Sequence, residues 1–129
     1  GGFDLYRDMV GVLEGLPQLD GEVLHGLAGR FGARSEPQSF RLFCYLFSGW
    51  LHRVVRVAST GQGFQPVFQG EAELVGRLVK GDLPLEPMLS LWEKVQHQVR
   101  QVEGLNLDKK QAILEWFGHL ADIIRAKSA

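Results

Sequence analysis

Residues 105–126 read LNLDKKQAILEWFGHLADIIRA, and this stretch contains both the start of a helix and the helix itself. Asn106 or Asp108 can accept hydrogen bonds from the first free N–H groups of a helix, and Gln111 completes a capping-box-like D-x-x-Q pattern. Apolar residues then recur at spacings of three and four, which is typical of a helix with one buried face. The stretch therefore predicts an amphipathic helix over residues 108–126.

The same periodicity recurs along the rest of the chain. We expect five further helices, at about residues 4–14, 21–31, 35–58, 70–80 and 85–103. Asp4 and Asp20 are placed to cap the first two, and Ser35-Glu36-Pro37-Gln38 is a strong start for the third. No segment has a convincing strand pattern. The sequence predicts an all-α bundle of about six helices in one domain over residues 1–129.

The helix expected at residues 35–58 is the most apolar element. Its three-four seam consists of Phe40, Phe43, Phe47, Trp50, Val54 and Val57. Other apolar residues, such as Cys44 and Leu51, widen the apolar surface beyond one stripe, so we expect a central helix packed from several sides. Part of its second face, or a face of the last helix, is expected to contact a partner. A second seam is predicted at Met88, Trp92, Val95, Val99 and Val102.

Residues 59–70, STGQGFQPVFQG, interrupt the helical pattern. Their three glycines and one proline oppose regular structure, so we expect a flexible surface loop. Phe64 and Phe68 are too apolar for a solvated linker. They either pack onto the core or contact a partner, because loops often carry function.

Composition and charge exclude several classes of protein. The chain has 14 basic and 15 acidic residues, without the marked basic excess of a dedicated nucleic-acid binder. Cys44 is the only cysteine, which rules out an internal disulfide and a cysteine zinc site and favours a reducing compartment. No apolar run is long enough to span a membrane. We expect a cytoplasmic protein that needs no cofactor.

Motifs of catalysis are not found in the sequence. The four histidines lack the spacing of metal ligands, and Gly61-Gln62-Gly63 lacks the strand–loop–helix context of a phosphate-binding loop. We therefore expect no catalytic activity in this chain. Its function must lie in the surfaces that it presents to other molecules.

Candidate interface residues are basic or aromatic. Arg53 belongs to a group of basic residues on the long helix. Such residues are more commonly exposed to solvent without a binding role than in contact with phosphates. Lys109 and Lys110 lie near the positive end of their helix dipole, at a small electrostatic cost, so an acidic partner is a candidate explanation. Trp50 and Trp116 fall on apolar seams, where core packing is the default interpretation and an interface contact is the alternative.

The sequence also resembles a known family. Trp92-Glu93-Lys94, followed by LNLDKKQAILEWFGHLADIIR, resembles the C-terminal region of the delta-prime subunit of the bacterial DNA polymerase III clamp loader, in its alphaproteobacterial form. The likeness extends to residues 3–31 and, at FRLFCYLFSGWLHRVVR, to residues 40–56. It covers most of the chain, and it consists of packing and capping motifs.

The resemblance implies a helical collar domain, a C-terminal fragment of a longer subunit. Such a domain would join the collar domains of the gamma/tau and delta subunits and hold a five-subunit ring, which places a sliding clamp on primed DNA. Contact with DNA would be indirect. The family's nucleotide-binding loop, zinc-ligand cysteines and arginine finger have no matching positions here.

Two other functions remain open from the sequence. One is a helical protein-interaction module unrelated to replication. The other is a helix-turn-helix-like DNA-binding domain, for which residues 96–101 are the only polar helix run that could serve.

Overall fold

The described residues form six helices, as the sequence predicts. The computed structural model describes residues 2–16, 18–30, 37–61, 71–79, 83–104 and 108–128, with side chains described except at 2–6, 37–39, 102–104 and 126–128. The helices are α1 (Gly2–Glu14), α2 (Gly21–Ala28), α3 (Pro37–Thr60), α4 (Glu71–Val79), α5 (Leu85–Gly104) and α6 (Lys109–Ser128). No strand occurs in the described ranges. The all-α prediction is confirmed.

Aspartate side chains begin two of the helices. The Asp20 carboxylate accepts hydrogen bonds from the backbone N–H groups of Glu22, at 3.0 Å, and Val23, at 3.3 Å. Asp108 likewise accepts from the N–H of Gln111 at 3.2 Å. These bonds satisfy N–H groups that have no partner within their own helix, which confirms both predicted caps. Asp4 is different, because α1 already begins at Gly2 and Asp4 lies within its first turn.

The central position of α3 follows from its apolar surface. Its 24 residues span about 36 Å at 1.5 Å per residue. It packs against α1, α4 and α5, while α6 also packs on α5 and α2. The predicted seam lies in the core through Phe40, Phe43, Phe47, Trp50 and Val54, with Val57 partly buried against it.

Aromatic rings join α3 to α6. Phe43 and Phe47 stack on each other with centroids 5.7 Å apart, and Trp116 lies nearly parallel to both rings at 6.4 and 6.1 Å. Phe117 meets Phe47 at 5.0 Å in a tilted arrangement. Aromatic pairs of this kind contribute about 0.5–1.5 kcal/mol each beyond the burial of their area. The Trp116 indole N–H also donates to the Gln98 side-chain oxygen at 2.6 Å, which ties α6 to α5.

The buried stripe of α5 differs from the predicted seam. Met88, Leu91 and Val95 are fully buried, whereas Trp92 is only half-buried. Both Leu91 and Trp92 satisfy three-four spacing from Met88 and Val95, so the periodicity alone admits either stripe. The packing of α3 and α6 against α5 selects Leu91 for the core and moves Trp92 to its edge.

A buried ion pair holds α4 against α3. Glu71, the first residue of α4, has no solvent exposure, and its carboxylate accepts from the Arg53 Nε at 2.5 Å. Arg53 is itself only 22% exposed, so the prediction of a basic group on the solvated side of α3 is wrong for this residue. The N-terminal end of α4 adds the favourable field of a helix dipole to the same carboxylate.

A left-handed glycine follows α3. The helix continues to Thr60, two residues beyond the expected end, and Gly61 has a φ of 70°. Its N–H still donates to the Val57 carbonyl at 2.8 Å. Glycine adopts this backbone conformation without the steric cost that a Cβ atom adds. The rest of the expected loop, which includes Phe64 and Phe68, lies outside the described residues.

Candidate protein-interaction surface

Two of the predicted interface residues lie in the core. Trp50 and Trp116 are both 0% exposed. Neither presents surface to a partner, because each fills the space between helices with a large ring, and this corrects their inclusion among the candidate interface residues. The structure confirms the default interpretation, which is that both tryptophans pack in the core.

The predicted basic interface residues are largely engaged within the chain. Arg53 pairs with Glu71, as described above. The Lys109 ammonium lies 5.6 Å from the centroid of the Phe40 ring, at a distance typical of a cation–π contact. Lys109 and Lys110 are both half-buried at the start of α6. The structure does not gather these residues with Arg53 into one site, and Phe64 and Phe68 lie outside the described residues.

An open groove with a volume of about 610 Å³ lies between α3 and α5. From α3 it is lined by Arg41, Cys44, Tyr45, Ser48, Gly49 and His52. From α5 it is lined by Trp92, Gln96 and Val99. We name this surface the α3–α5 groove.

A second cavity of about 260 Å³ extends the groove along the same helix pair. It shares His52 and Trp92 with the groove and adds Val55, Arg56, Ser59 and Leu89. We include these residues in the α3–α5 groove. The combined lining follows α3 from residue 41 to residue 59, a distance of about 27 Å along its axis.

Polar and aromatic contacts shape the floor of the groove. The Gln96 amide nitrogen donates to the Ser48 hydroxyl across the two helices. The His52 and Trp92 rings lie with their centroids 5.8 Å apart at an angle of 44°. These contacts join α3 and α5 within the groove lining.

Large apolar side chains are exposed at and beside the groove. Tyr45 is 77% exposed and Leu89 is 44% exposed, and both line it. Leu85, on the same helix as Leu89, is 38% exposed. Exposed apolar residues are ordinary when scattered singly, and Tyr45 and Leu89 are the two exposed large apolar side chains of the described residues that line the groove. On α6, by contrast, none of the described large apolar residues is exposed.

The groove lining is basic as well as apolar. Arg41 and Arg56 line its two ends and His52 lies between them, while none of the residues named in its lining is Asp or Glu. The whole chain has a net charge of −1, so this local balance is not a general property of its surface.

The described residues contain neither a group of metal ligands nor a helix that could span a membrane. No group of three His, Cys, Asp or Glu residues in the described ranges could hold a metal ion. His52 and His97 lie on exposed positions, as the sequence predicts. Within the same ranges, no helix is both long and apolar enough to cross a membrane.

The polar run of α5 is not a free recognition face. Gln96 is bonded to Ser48 and Gln98 to Trp116, and both are half-buried. A recognition helix needs such side chains free to reach base edges in the major groove. The structure thus weakens the helix-turn-helix interpretation of residues 96–101.

Comparisons with models of known protein families, with curated proteins and with solved structures find no match for this chain. The assignment of the candidate surface therefore rests on the geometry and chemistry of this chain.

Sequence reasoning expected a partner surface on part of the second face of α3 or on the last helix, and it did not single out Tyr45, which is 77% exposed on α3. A usable signal was present. Arg41, Tyr45, Ser48, His52, Val55 and Ser59 repeat at spacings of three and four, as the core seam does. The second stripe contains polar and basic residues as well as apolar ones. A search for apolar periodicity alone therefore does not detect it.

Proposed function

We propose that this chain is an oligomerisation domain of the clamp-loader collar type, in a cytoplasmic delta-prime-like subunit of bacterial DNA polymerase III that serves DNA replication. In this proposal it has no catalytic step. It holds neighbouring subunits in fixed register through helix-to-helix contacts, while their nucleotide-binding modules move.

The observation that carries the proposal is the open, partly apolar α3–α5 groove on an all-helical bundle. A scaffold domain needs a surface that is already formed and that exposes large apolar groups, and Tyr45, Leu89 and Trp92 provide such groups. The sequence resemblance at residues 92–94 and 105–125 is the reason that we propose the clamp loader as the assembly. The geometry supports protein binding in general, and the resemblance supports the clamp loader in particular.

The decisive experiment mixes this chain with the collar domains of the delta and gamma/tau subunits from the same organism. Complex formation is measured by pull-down, and the mass of the complex by light scattering. The proposal predicts a defined complex that contains both types of partner. A strict monomer that ignores both partners would contradict it.

Variants of exposed residues test whether the groove is the contact. Tyr45→Ala should weaken the complex, whereas Leu42→Ala, on α3 outside the groove lining, should leave it unchanged. Leu42 is a matched control because it is also a large exposed residue of α3, at 37% exposure. Equal weakening by both substitutions would argue against the groove.

A second candidate function is a helical adaptor unrelated to replication, which the same groove favours equally. It predicts no affinity for clamp-loader collars, but the same loss of partner binding with Tyr45→Ala. The two candidates therefore differ in the partner and agree in the surface.

A further inference from the structure

We propose that two copies of this chain associate through the α3–α5 groove, as a symmetric dimer in which α3 of each copy packs on α5 of the other. This inference concerns the contact between two identical chains. It goes beyond the proposed function, which concerns contacts with different subunits, and it is tested on this chain alone.

The two helices of the groove run antiparallel, in a register that their contacts define. Ser48 is bonded to Gln96, whereas His52, one turn later on α3, lies against Trp92, one turn earlier on α5. Residues toward the end of α3 therefore lie level with residues toward the start of α5. In an up-and-down bundle neighbouring helices are antiparallel, so a second pair of this kind can complete a four-helix bundle on this face.

A two-fold axis along the groove gives the second copy a definite position. Rotation about this axis keeps the height of every residue along the groove and exchanges the two sides. The α3 helix of one copy then lies over α5 of the other and runs antiparallel to it. In the register defined above, Tyr45 of one copy lies level with Val99 of the other, and Val55 lies level with Leu89. Exposed and half-buried apolar groups thus face each other across the contact.

The charge of α3 comes from arginine alone. The sequence of this helix contains three arginines and neither Asp nor Glu. Arg41 and Arg53 already interact within the chain. Arg56 is exposed, and it forms no ion pair with any described residue. The charge contact in the dimer therefore depends on Arg56.

Two exposed carboxylates on α5 match this cation. Glu86 and Glu93 lie one turn before and one turn after Leu89, which lines the groove, and neither is paired within the described residues. Since Val55 is level with Leu89, the next residue of α3, Arg56, has a height between the two carboxylates. An axis across the groove would instead place α3 on α3 and bring arginines together. Charge complementarity therefore favours the axis along the groove, which repeats the Arg–Glu contact twice.

The area of the face sets the strength of the contact. The groove is about 27 Å long, and two helices whose axes are about 9 Å apart present a face about 18 Å wide. Each copy therefore covers about 500 Å², or about 1,000 Å² for the pair, which lies at the lower end of specific interfaces. We expect a reversible dimer that dissociates in the micromolar range.

Sedimentation equilibrium of the chain alone, from about 5 to about 500 μM, tests self-association over a range that brackets a micromolar Kd. The average mass should rise with concentration from 14.4 kDa toward twice that value and no further, because a two-fold contact is closed. Tyr45→Ala should raise the Kd of the dimer about tenfold, since its ring is 77% exposed in one copy alone. A mass that stays at 14.4 kDa, or that rises beyond the dimer, would overturn the proposal.

Charge reversal tests which helices meet. Arg56→Glu and the double variant Glu86→Lys/Glu93→Lys should each raise the Kd about tenfold, because each places like charges together at both contacts. An equimolar mixture of the two variants should recover the dimer, since both contacts then pair opposite charges. Lys94→Glu is the control, because Lys94 is exposed on α5 outside the groove lining, and it should leave the Kd within about twofold. Circular dichroism verifies that each variant is folded.

The remaining outcomes separate this inference from the proposed function. Loss of the dimer in both charge variants without recovery in their mixture would overturn the packing of α3 on α5. A strict monomer that binds the clamp-loader collar domains would support the proposed function, overturn this inference and assign the groove to a different protein. A dimer that ignores those collar domains would support this inference and contradict the proposed function.

Discussion

Replacing Arg53 with alanine removes an ion-pair partner of Glu71, whose side chain is fully buried. Glu71 is 0% exposed, whereas the Arg53 side chain is 22% exposed. The Arg53 guanidinium can therefore be hydrated in part, whereas the Glu71 carboxylate is shielded from water. Without Arg53, the buried Glu71 carboxylate loses the charged donor that lies 2.5 Å away. Loss of one member of a buried pair costs about 3–5 kcal/mol in unfolding free energy, and we expect Arg53→Ala to fall in this range.

The reverse substitution should cost less. Glu71→Gln keeps the volume of the side chain and an oxygen that can accept from Arg53, and the partly exposed guanidinium can also turn to water. We expect a loss of about 1–2 kcal/mol. The double variant Arg53→Met/Glu71→Leu removes both charges together, and its stability should lie within about 1 kcal/mol of the parent protein.

Urea unfolding followed by far-UV circular dichroism measures these differences by linear extrapolation. A 129-residue chain has a stability of roughly 6–19 kcal/mol, so the variants should remain folded enough to measure. Arg125→Ala is the control. Its partner Asp122 is 76% exposed at 3.4 Å, and the loss should stay below about 0.5 kcal/mol. The reasoning is refuted if Arg53→Ala costs no more than Arg125→Ala, or if Glu71→Gln costs as much as Arg53→Ala.

Three further predictions follow from the tryptophans, a helix cap and the left-handed glycine. Acrylamide should quench mainly the fluorescence of half-buried Trp92, since Trp50 and Trp116 are 0% exposed, and Trp92→Phe should abolish most of the quenchable signal. Asp20→Ala should lower the unfolding free energy by about 1 kcal/mol, because two N–H groups of α2 lose their acceptor; equal stability of the variant would contradict the cap. Gly61→Ala should cost about 1 kcal/mol in urea unfolding because its φ is 70°, and an unchanged midpoint would show that this backbone conformation is not required.

The core of α3 could be predicted because its sequence leaves little choice. Phe40, Phe43, Phe47, Trp50 and Val54 form one stripe of large apolar groups, and no other stripe on that helix is comparably apolar. Burial of any other face would expose several aromatic rings to water, at about 25 cal/mol for each Å² of apolar area. The hydrophobic effect therefore fixes the orientation of this helix from its own sequence.

The buried stripe of α5 could not be predicted in the same way. Leu91 and Trp92 lie on either side of the line from Met88 to Val95, and either could pack inward. The neighbouring helices make the choice, and their positions are tertiary information. The Arg53–Glu71 pair was inaccessible for a related reason, because 18 residues separate its members and α4 must first dock on α3.

The two stripes of α3 differ in whether folding accounts for their residues. The apolar stripe has to be buried for the bundle to fold, and its residues are accounted for by packing. The second stripe contributes Tyr45 at 77% exposure, although folding alone would be served as well by a polar residue at that position. Tyr45 also does not stand alone, since Leu89 and Trp92 lie along the same groove and Arg56 lies at its end. Under the proposed function, a partner bound in the groove would cover the exposed apolar area of Tyr45 and Leu89 and meet the charge of Arg56, which folding of the chain alone does not do.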